Sequence, residues 1–359
     1  MISDIEKSMP SQSSPKFVSG IDTLDFFVKI NYDDYTSFYH NHLLKGVLDY
    51  EDCLVRQSED FTRQWTWYDY YINIASEGSA RDERVLCTIK FKNLNQKDNN
   101  DSVLIEMRSS IMNLLGYQTS VNIVLMLLKS FTLEPLKTQV SRVDLNTYCL
   151  GHNFQYLTYE NFSTKAEKCE PINKFGVLET FRLGARSSTT IYMRIYDKYK
   201  QLLHLSQSNF ADSNLKSNLI YSKFFHKYGL ELDTTVNLWN IEFEVKRGIL
   251  KTFEIHTIED LFNKVDSLHK YIVEKKFRML IRKKDKTNNS LIKTHPLWEK
   301  LSNEFRLFNE PTVIDRTKLK LYKKDDEWFK NRMTDFIKEH RNVNSPMLED
   351  IKALLSKYS

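Results

Sequence analysis

The sequence Tyr192-Met-Arg194-Ile-Tyr196-Asp-Lys198 alternates polar side chains with apolar ones. Two other stretches do the same: Arg142-Val-Asp144-Leu-Asn146 and Asn240-Ile-Glu242-Phe-Glu244-Val-Lys246. Successive side chains of a β-strand point to opposite faces, so each stretch, as a strand, places its polar residues on one face. If the three are strands of one sheet, these residues share a single surface.

The shared surface would hold the side chains needed to cut a phosphodiester. A tyrosine hydroxyl can attack phosphorus and form a covalent phosphotyrosine bond. Carboxylates are hard oxygen ligands that suit Mg²⁺ or Mn²⁺, and a guanidinium can hold phosphate oxygens. We therefore predict a catalytic group and a metal-binding group, with Arg142 as a DNA contact. The catalytic residues are Tyr196, Arg194 and Lys198, and the metal ligands are Asp144, Glu242 and Glu244.

The alternative for the same three strands is a solvated sheet face held by cross-strand ion pairs.

Composition excludes other function classes. Only 9 glycines are present, without a glycine-rich phosphate loop, which disfavours a nucleotide cofactor. The 4 cysteines lack metal-ligand or disulfide spacing. The N-terminal segment is polar and no apolar run is long enough to span a bilayer, so we expect a cytoplasmic protein with no membrane partner.

The pattern of the chain predicts the α+β class: an antiparallel β-sheet nuclease domain with packed helices, followed by a mainly helical C-terminal region. The predicted domains are a disordered tail at 1–17, the nuclease domain at 18–250 and a basic helical accessory region at 251–359. Predicted strands cover 24–30, 64–75, 85–91, 103–108, 140–148, 189–196 and 238–247, and predicted helices cover 120–130, 258–275, 296–308 and 325–338.

The net charge is +5, and the excess of Lys and Arg lies in the C-terminal region. Four cations, Lys275, Arg278, Arg282 and Lys286, follow one another at three- or four-residue spacing. On a continued helix they would form a stripe, which we predict binds DNA. A lysine-rich solvated helix face is the alternative interpretation.

Four short motifs resemble one known family. They are Gly20-Ile-Asp22-Thr-Leu, Ser141-Arg142-Val-Asp144-Leu, the pair Phe181-Arg-Leu-Gly184-Ala-Arg186-Ser-Ser188 and Tyr192 to Lys198, and Trp239-Asn-Ile-Glu242-Phe-Glu244. In this order they resemble the motifs of the Rep_trans-type replication initiation factors. That family includes initiators of rolling-circle plasmids, phage replication proteins and relaxases of some conjugative elements. The resemblance spans about residues 19 to 300.

The resemblance implies a site-specific nickase of origin DNA, in duplex and single-stranded form. Tyr196 would be the nucleophile that leaves a 5′-phosphotyrosine link and a free 3′-hydroxyl primer. Asp144 and Glu242 would hold the metal, and Arg182, Arg186 and Arg194 would contact DNA near the cut. A host helicase and a homodimeric assembly are further implied partners.

The chain departs from the family pattern at three positions. Tyr148 stands where a second aspartate is common, Asn240 where an arginine is common, and Ala185 where serine is usual. The departures leave the tyrosine and two acids in place and bear on the metal shell and the DNA contacts. A conjugative relaxase and a non-catalytic DNA-binding regulatory protein of the same fold remain the alternatives.

Overall fold

The structure is a computed structural model. It describes residues 14–43, 53–57, 68–75, 85–92, 102–187, 190–208, 220–231, 237–281, 289 and 291–308. The helix predicted at 325–338, the cations Arg282 and Lys286, and all of the predicted tail up to residue 13 lie outside these residues. Among the described residues, no helix is long and apolar enough to cross a membrane.

Twelve strands and eight helices are described. The strands are β1 (Lys16–Ile30), β2 (Cys53–Gln57), β3 (Tyr68–Ala75), β4 (Val85–Lys92), β5 (Ser102–Arg108), β6 (Pro135–Leu150), β7 (Phe162–Ser163), β8 (Cys169–Lys174), β9 (Val177–Leu183), β10 (Ile191–Asp197), β11 (Leu238–Lys246) and β12 (Arg278–Met279). The helices are α1 (Tyr32–Phe38), α2 (Ser109–Leu115), α3 (Tyr117–Ser130), α4 (Lys198–Ser208), α5 (220–228), α6 (Arg247–Thr252), α7 (Ile258–Tyr271) and α8 (Pro296–Glu304).

The chain divides into two compact units. Unit 1 comprises Met1–Phe27 and Thr138–Pro311, and unit 2 comprises Val28–Lys137 and Thr312–Ser359. The division does not fall at the predicted boundary of residue 250. β1 begins at Lys16, inside the predicted tail, because Phe17 is fully buried.

Unit 1 contains a sheet with the strand order β1-β6-β11-β10-β9-β8. The pairs from β6 to β8 are antiparallel. The helices α6 to α8 follow β11, so the predicted class, an antiparallel sheet with packed helices and a mainly helical continuation, is confirmed. A separate two-stranded pair joins β12 to β7.

One face of the unit 1 sheet is apolar and is covered by the segments after β11. Phe243 on β11 stacks on Phe277, with ring centroids 6.1 Å apart, and Phe162 stacks on Phe181 of β9 at 5.7 Å. Trp298 of α8 meets Phe162 edge to face. These fully or almost fully buried rings fix which face of β9 and β11 is turned inward, because slipping a strand by one residue would reverse its faces.

α7 shows how local sequence sets the helix start. The Thr257 side chain accepts a hydrogen bond from the Asp260 backbone and the Asp260 side chain accepts one from the Thr257 backbone, which together form a capping box. α7 ends at Tyr271, where a π-type turn at Ile272–Lys276 leads into β12. The helix predicted to continue past residue 275 is therefore shorter than predicted.

A small apolar cluster covers one end of the sheet face opposite Phe243. Ile220 and Phe224 of α5 pack there with Leu202 of α4 and with Tyr148 and Leu238 of the sheet. The cluster anchors α4 and α5 beside the C-terminal end of β10.

Unit 2 contains the strands β2 to β5, paired in order as antiparallel neighbours. Phe38 of α1 stacks on Phe91 and on Phe131, at 5.4 and 5.6 Å between ring centroids. The strands predicted at 64–75, 85–91 and 103–108 correspond to β3, β4 and β5, and the helix predicted at 120–130 corresponds to the longer α3.

Candidate active site on the polar face of the sheet

The three alternating stretches are neighbouring strands, as the sequence predicts. Glu242 of β11 is paired with Arg194 of β10 on one side and with Asn146 of β6 on the other. Glu244 is likewise paired with Tyr192 and Asp144. We call the surface that carries Asp144, Glu242 and Tyr196 the polar face. It lies on the side of the sheet opposite the apolar face of Phe243.

The phenol of Tyr196 is fixed by two side chains of β11. Asn240 Nδ2 donates a hydrogen bond to the phenol oxygen at 2.8 Å, and the phenol donates to Glu242 Oε2 at 3.4 Å. Burial raises the pKa of Tyr196 well above its ordinary value, and the negative charge of Glu242 raises it further. The phenol therefore holds its proton tightly and needs a base to become a nucleophile.

Glu242 is the carboxylate within hydrogen-bond reach of the phenol. It is 1 % exposed, and Arg194 Nη2 donates a short hydrogen bond to its Oε1. Burial raises the pKa of Glu242 to about 7, Asp22 adds to the increase, and Arg194 opposes it. A carboxylate with that pKa can accept a proton near neutral pH.

Two predicted cations lie beside the tyrosine ring. Arg194 Cζ is 6.0 Å and Lys198 Nζ is 5.6 Å from the ring centroid of Tyr196. Lys198 is the first residue of α4 and not a strand residue, contrary to the strand pattern from which it was selected. It nevertheless reaches the same site, and its Nζ donates to Gln201 Oε1 at 2.8 Å.

A second group of charges surrounds Asp144 and Glu244. Arg142 holds Asp144 with two hydrogen bonds, at 2.9 Å from Nε and 2.5 Å from Nη2. Its Nη2 is also 3.3 Å from Glu244, which in turn pairs with Arg186 at 3.4 Å and with Lys246 at 3.2 Å. Burial raises the pKa of Asp144 to about 6, against the opposing effect of Arg142.

The predicted metal ligands do not fit a metal site in this arrangement. Within the residues that the structure covers, no group of three or more His, Cys, Asp or Glu side chains is placed to hold an ion. Arginine already pairs with each predicted ligand, Asp144, Glu242 and Glu244. Binding Mg²⁺ or Mn²⁺ would require at least one arginine to leave its carboxylate, so the metal stays a prediction.

Two arginines face each other across β9 and β10. Arg182 and Arg194 are directly paired, and the buried Nε of each has no hydrogen-bond partner among the described residues. Arg182 Nη1 is 3.2 Å from Glu170. Like charges opposite each other destabilise a sheet, and Glu242 and Glu170 offset this cost by pairing with Arg194 and Arg182.

The loop after β9 depends on Gly184. Its φ is +89°, and a Cβ built there would lie 2.7 Å from the Ile191 carbonyl oxygen, so only glycine fits without a shift. This close approach returns the chain to β10. It also places Arg186, whose Cζ lies 5.0 Å from the ring centroid of Tyr192.

Comparisons with known proteins find similarity to solved structures. No protein-family model and no curated protein matches the chain. A solved rolling-circle replication initiator protein from Geobacillus stearothermophilus shares 10% sequence identity and aligns with a TM-score of 0.43, covering 80% of this chain and 96% of that one. At that TM-score, we infer neither fold nor function from the likeness.

Two residues outside the predicted site act on it, Asn240 and Asp22, and a third, Lys223, interacts with Asp22. Asn240, noted in the sequence only as a departure, orients the Tyr196 phenol. The charge of Asp22 raises the pKa values of Glu242, Asp144 and Tyr196. Burial lowers the pKa of Lys223 of α5 to about 8, and the negative charge of Asp22 opposes this shift. The Gly20-Ile-Asp22 motif was the sequence signal for Asp22, and the departure from the family pattern was the signal for Asn240.

The predicted basic stripe is not one helix face. Lys275 is exposed in the π-type turn after α7, whereas Arg278 lies in β12. Arg278 donates to the carbonyls of Asn289 and Ile292 at 2.6 and 2.7 Å, so its guanidinium binds this chain's own backbone. DNA binding by these residues is still a prediction.

Proposed function

We propose that the protein nicks DNA as a rolling-circle replication initiator, with Tyr196 as the nucleophile and Glu242 as its base. The observation that carries the proposal is the phenol of Tyr196, held at 2.8 Å by Asn240 and within hydrogen-bond distance, 3.4 Å, of Glu242. Because Asn240 donates to the phenol oxygen, the phenol proton is directed to the carboxylate. A nucleophile, its base and an orienting group are therefore present together.

In the proposed reaction Tyr196 Oη attacks a backbone phosphorus while its proton moves to Glu242. The bond from phosphorus to the 3′ oxygen breaks, and we assign Lys198 as the group that protonates this oxygen. The products are a 5′-phosphotyrosine link and a free 3′-hydroxyl. The phosphodiester bond is exchanged for another phosphodiester bond, so later rejoining remains available.

The proposed phosphate-binding groups are the opposed guanidinium groups of Arg182 and Arg194. Both Nε atoms lack a partner among the described residues, and phosphate oxygens are the acceptors that a guanidinium fork fits best. All four arginines are paired with carboxylates: Arg194 with Glu242, Arg182 with Glu170, Arg142 with Asp144 and Arg186 with Glu244. Their proposed DNA contacts therefore require exchange or sharing of a partner. No step of this mechanism is assigned to a metal ion.

The test is a nicking assay on supercoiled plasmids that carry candidate origins. Wild-type protein is expected to give relaxed circles with covalently attached protein, whereas Tyr196→Phe gives neither and keeps its DNA affinity, because only the attacking oxygen is lost. Tyr192→Phe is the matched control, since Tyr192 is on the same strand and face.

Cleavage retained by Tyr196→Phe would transfer the nucleophilic role to Tyr192 or Tyr199. Absence of any adduct with the wild-type protein would favour a non-catalytic DNA-binding protein. The same assay with EDTA tests the predicted metal, because undiminished nicking in the chelator would contradict a requirement for Mg²⁺ or Mn²⁺.

A further inference from the structure

The hairpin between β8 and β9 has an unusual residue at its tip. Lys174 pairs with Val177, which leaves Phe175 and Gly176 as a two-residue loop. Both have positive φ, 51° for Phe175 and 76° for Gly176, as a type I′ turn requires. Asn, Asp or Gly is preferred at the first of these positions, and a bulky side chain with positive φ is an outlier.

The Phe175 side chain buries little apolar surface, so burial does not offset the cost of its positive φ. It is 95% exposed, the largest exposed fraction of any large apolar side chain among the described residues. Folding alone would favour asparagine at this position. A phenylalanine that is both conformationally unfavourable and unburied indicates a binding role.

One cation, Lys174, lies beside the ring. Lys174 Nζ lies 5.9 Å from the Phe175 ring centroid and 3.2 Å from His204 Nε2 of α4. Among the described residues, no carboxylate forms an ion pair with Lys174. An exposed aromatic ring beside such a cation matches nucleic acid, whose bases stack on aromatic rings and whose phosphates attract lysine.

The tip lies at the same end of the sheet as the proposed nucleophile. Tyr196 pairs with Thr180 on β9, and Thr180 is separated from Val177, at the base of the tip, by three residue steps along the strand. At about 3.3 Å per residue the tip begins about 10 Å beyond the level of Tyr196. That distance corresponds to about three base steps along one strand of B-form DNA.

We propose that Phe175 is a wedge that stacks on a base of single-stranded DNA about three nucleotides from the cut, with Lys174 on a neighbouring phosphate. The inference builds on the proposed nicking function and adds to it a contact for the separated strand. Apolar side chains inserted between bases are an established means of unstacking a duplex.

The decisive variant is Phe175→Asn, because asparagine suits the turn and removes the ring. It is made in the Tyr196→Phe background, so that cleavage does not affect the binding measurement. Affinity for a short single-stranded oligonucleotide is expected to fall about tenfold, within the range for one base–aromatic stack. Affinity for the same sequence as a blunt duplex stays unchanged, and the midpoint of thermal unfolding does not fall.

Two further variants complete the test. Phe175→Trp is expected to keep single-strand affinity, and Tyr156→Asn, which removes another exposed ring (71%), to leave it unchanged. Unaltered single-strand affinity of Phe175→Asn would overturn the wedge. So would a change in sedimentation alone, which would assign the ring to a protein contact. If Phe175→Asn loses single-strand affinity although wild-type protein never nicks DNA, the wedge stands and the proposed function fails.

Discussion

The polar face of the unit 1 sheet and the basic segment after α7 were both predicted from the spacing of charged residues, and they differ in outcome. On the polar face, Arg194 and Glu242 lie opposite each other on paired strands. In the basic segment, Lys275 and Arg278 are in different elements, a turn and a strand. The polar face brings its predicted residues together, whereas the two described residues of the basic stripe lie apart in different elements.

The difference comes from the apolar side chains on the face opposite the charged residues, because their burial fixes the backbone. Each polar residue of β11 alternates with a buried apolar one, such as Phe243, so the apolar core sets the direction of the polar side chains. After Tyr271, Ile272 and Val273 still continue the buried face of α7, but a π-type turn then ends the helix at Lys276, so Arg278 lies in β12, beyond the helix that carries that face. A charge pattern is therefore informative where an opposite apolar pattern supports it.

Glu242→Gln is expected to have the largest effect in this comparison. The amide cannot accept the phenol proton, so nicking should fall by about 10²- to 10⁴-fold, the range for loss of a general base. Single-turnover rates on supercoiled origin DNA measure the change. Glu244→Gln is the control, because Glu244 contacts Arg142, Arg186 and Lys246 but not Tyr196, and it should stay within about tenfold of wild type.

The pH dependence of nicking tests the same carboxylate. Glu242 acts as a base only when ionised, and its raised pKa of about 7 means that protonation removes this form as the pH falls below 7. The rate should therefore drop by about tenfold per pH unit below 7 and level off above it. A rate that is constant from pH 5 to 8 would exclude Glu242 as the base.

Arg278→Ala is expected to act on stability. The substitution removes charged hydrogen bonds to the Asn289 and Ile292 carbonyls, which should lower the free energy of unfolding by about 2 kcal/mol. Denaturant titration measures it, with Lys275→Ala as the exposed control that changes stability little. If Arg278→Ala instead weakens DNA binding without loss of stability, the stripe functions as the sequence predicts.

The smallest expected effect is a change in salt dependence. Arg186→Ala removes one cation near the cut, so the slope of log affinity against log salt on duplex DNA should fall by about 0.9 if Arg186 contacts one phosphate. Lys275→Ala should leave this slope unchanged if the basic segment is an ordinary surface. Equal changes in this slope for Arg186→Ala and Lys275→Ala would show that the two regions do not differ in DNA binding.

The sequence was sufficient to predict the central strands and most of the residues of the polar face. Period-two alternation identified β6, β10 and β11 because all three have one apolar side facing the core. It also selected Tyr196, Arg194 and Glu242, which the structure brings into contact. These residues belong to strands whose pairing follows directly from the apolar pattern.

The remaining features depend on tertiary contacts that spacing does not encode. Asp22 belongs to β1, which the sequence did not assign to the site, and Lys223 comes from a helix packed by the small apolar cluster. Phe175 is prominent only once Lys174 and Val177 are known to pair. The arginine partners of the predicted metal ligands likewise follow from side-chain geometry and not from residue type.

The backbone of Gly184 has a consequence for how this protein can vary. Because an added Cβ would meet the Ile191 carbonyl oxygen at 2.7 Å, selection for a folded chain should return glycine at this position from any randomised library. Under the proposed function, Ala185 and Arg186 are not bound by that restraint and can change with the target DNA. Because this contact restrains Gly184, substitutions at Ala185 and Arg186 could alter the target preference of the proposed nickase without disturbing the contact.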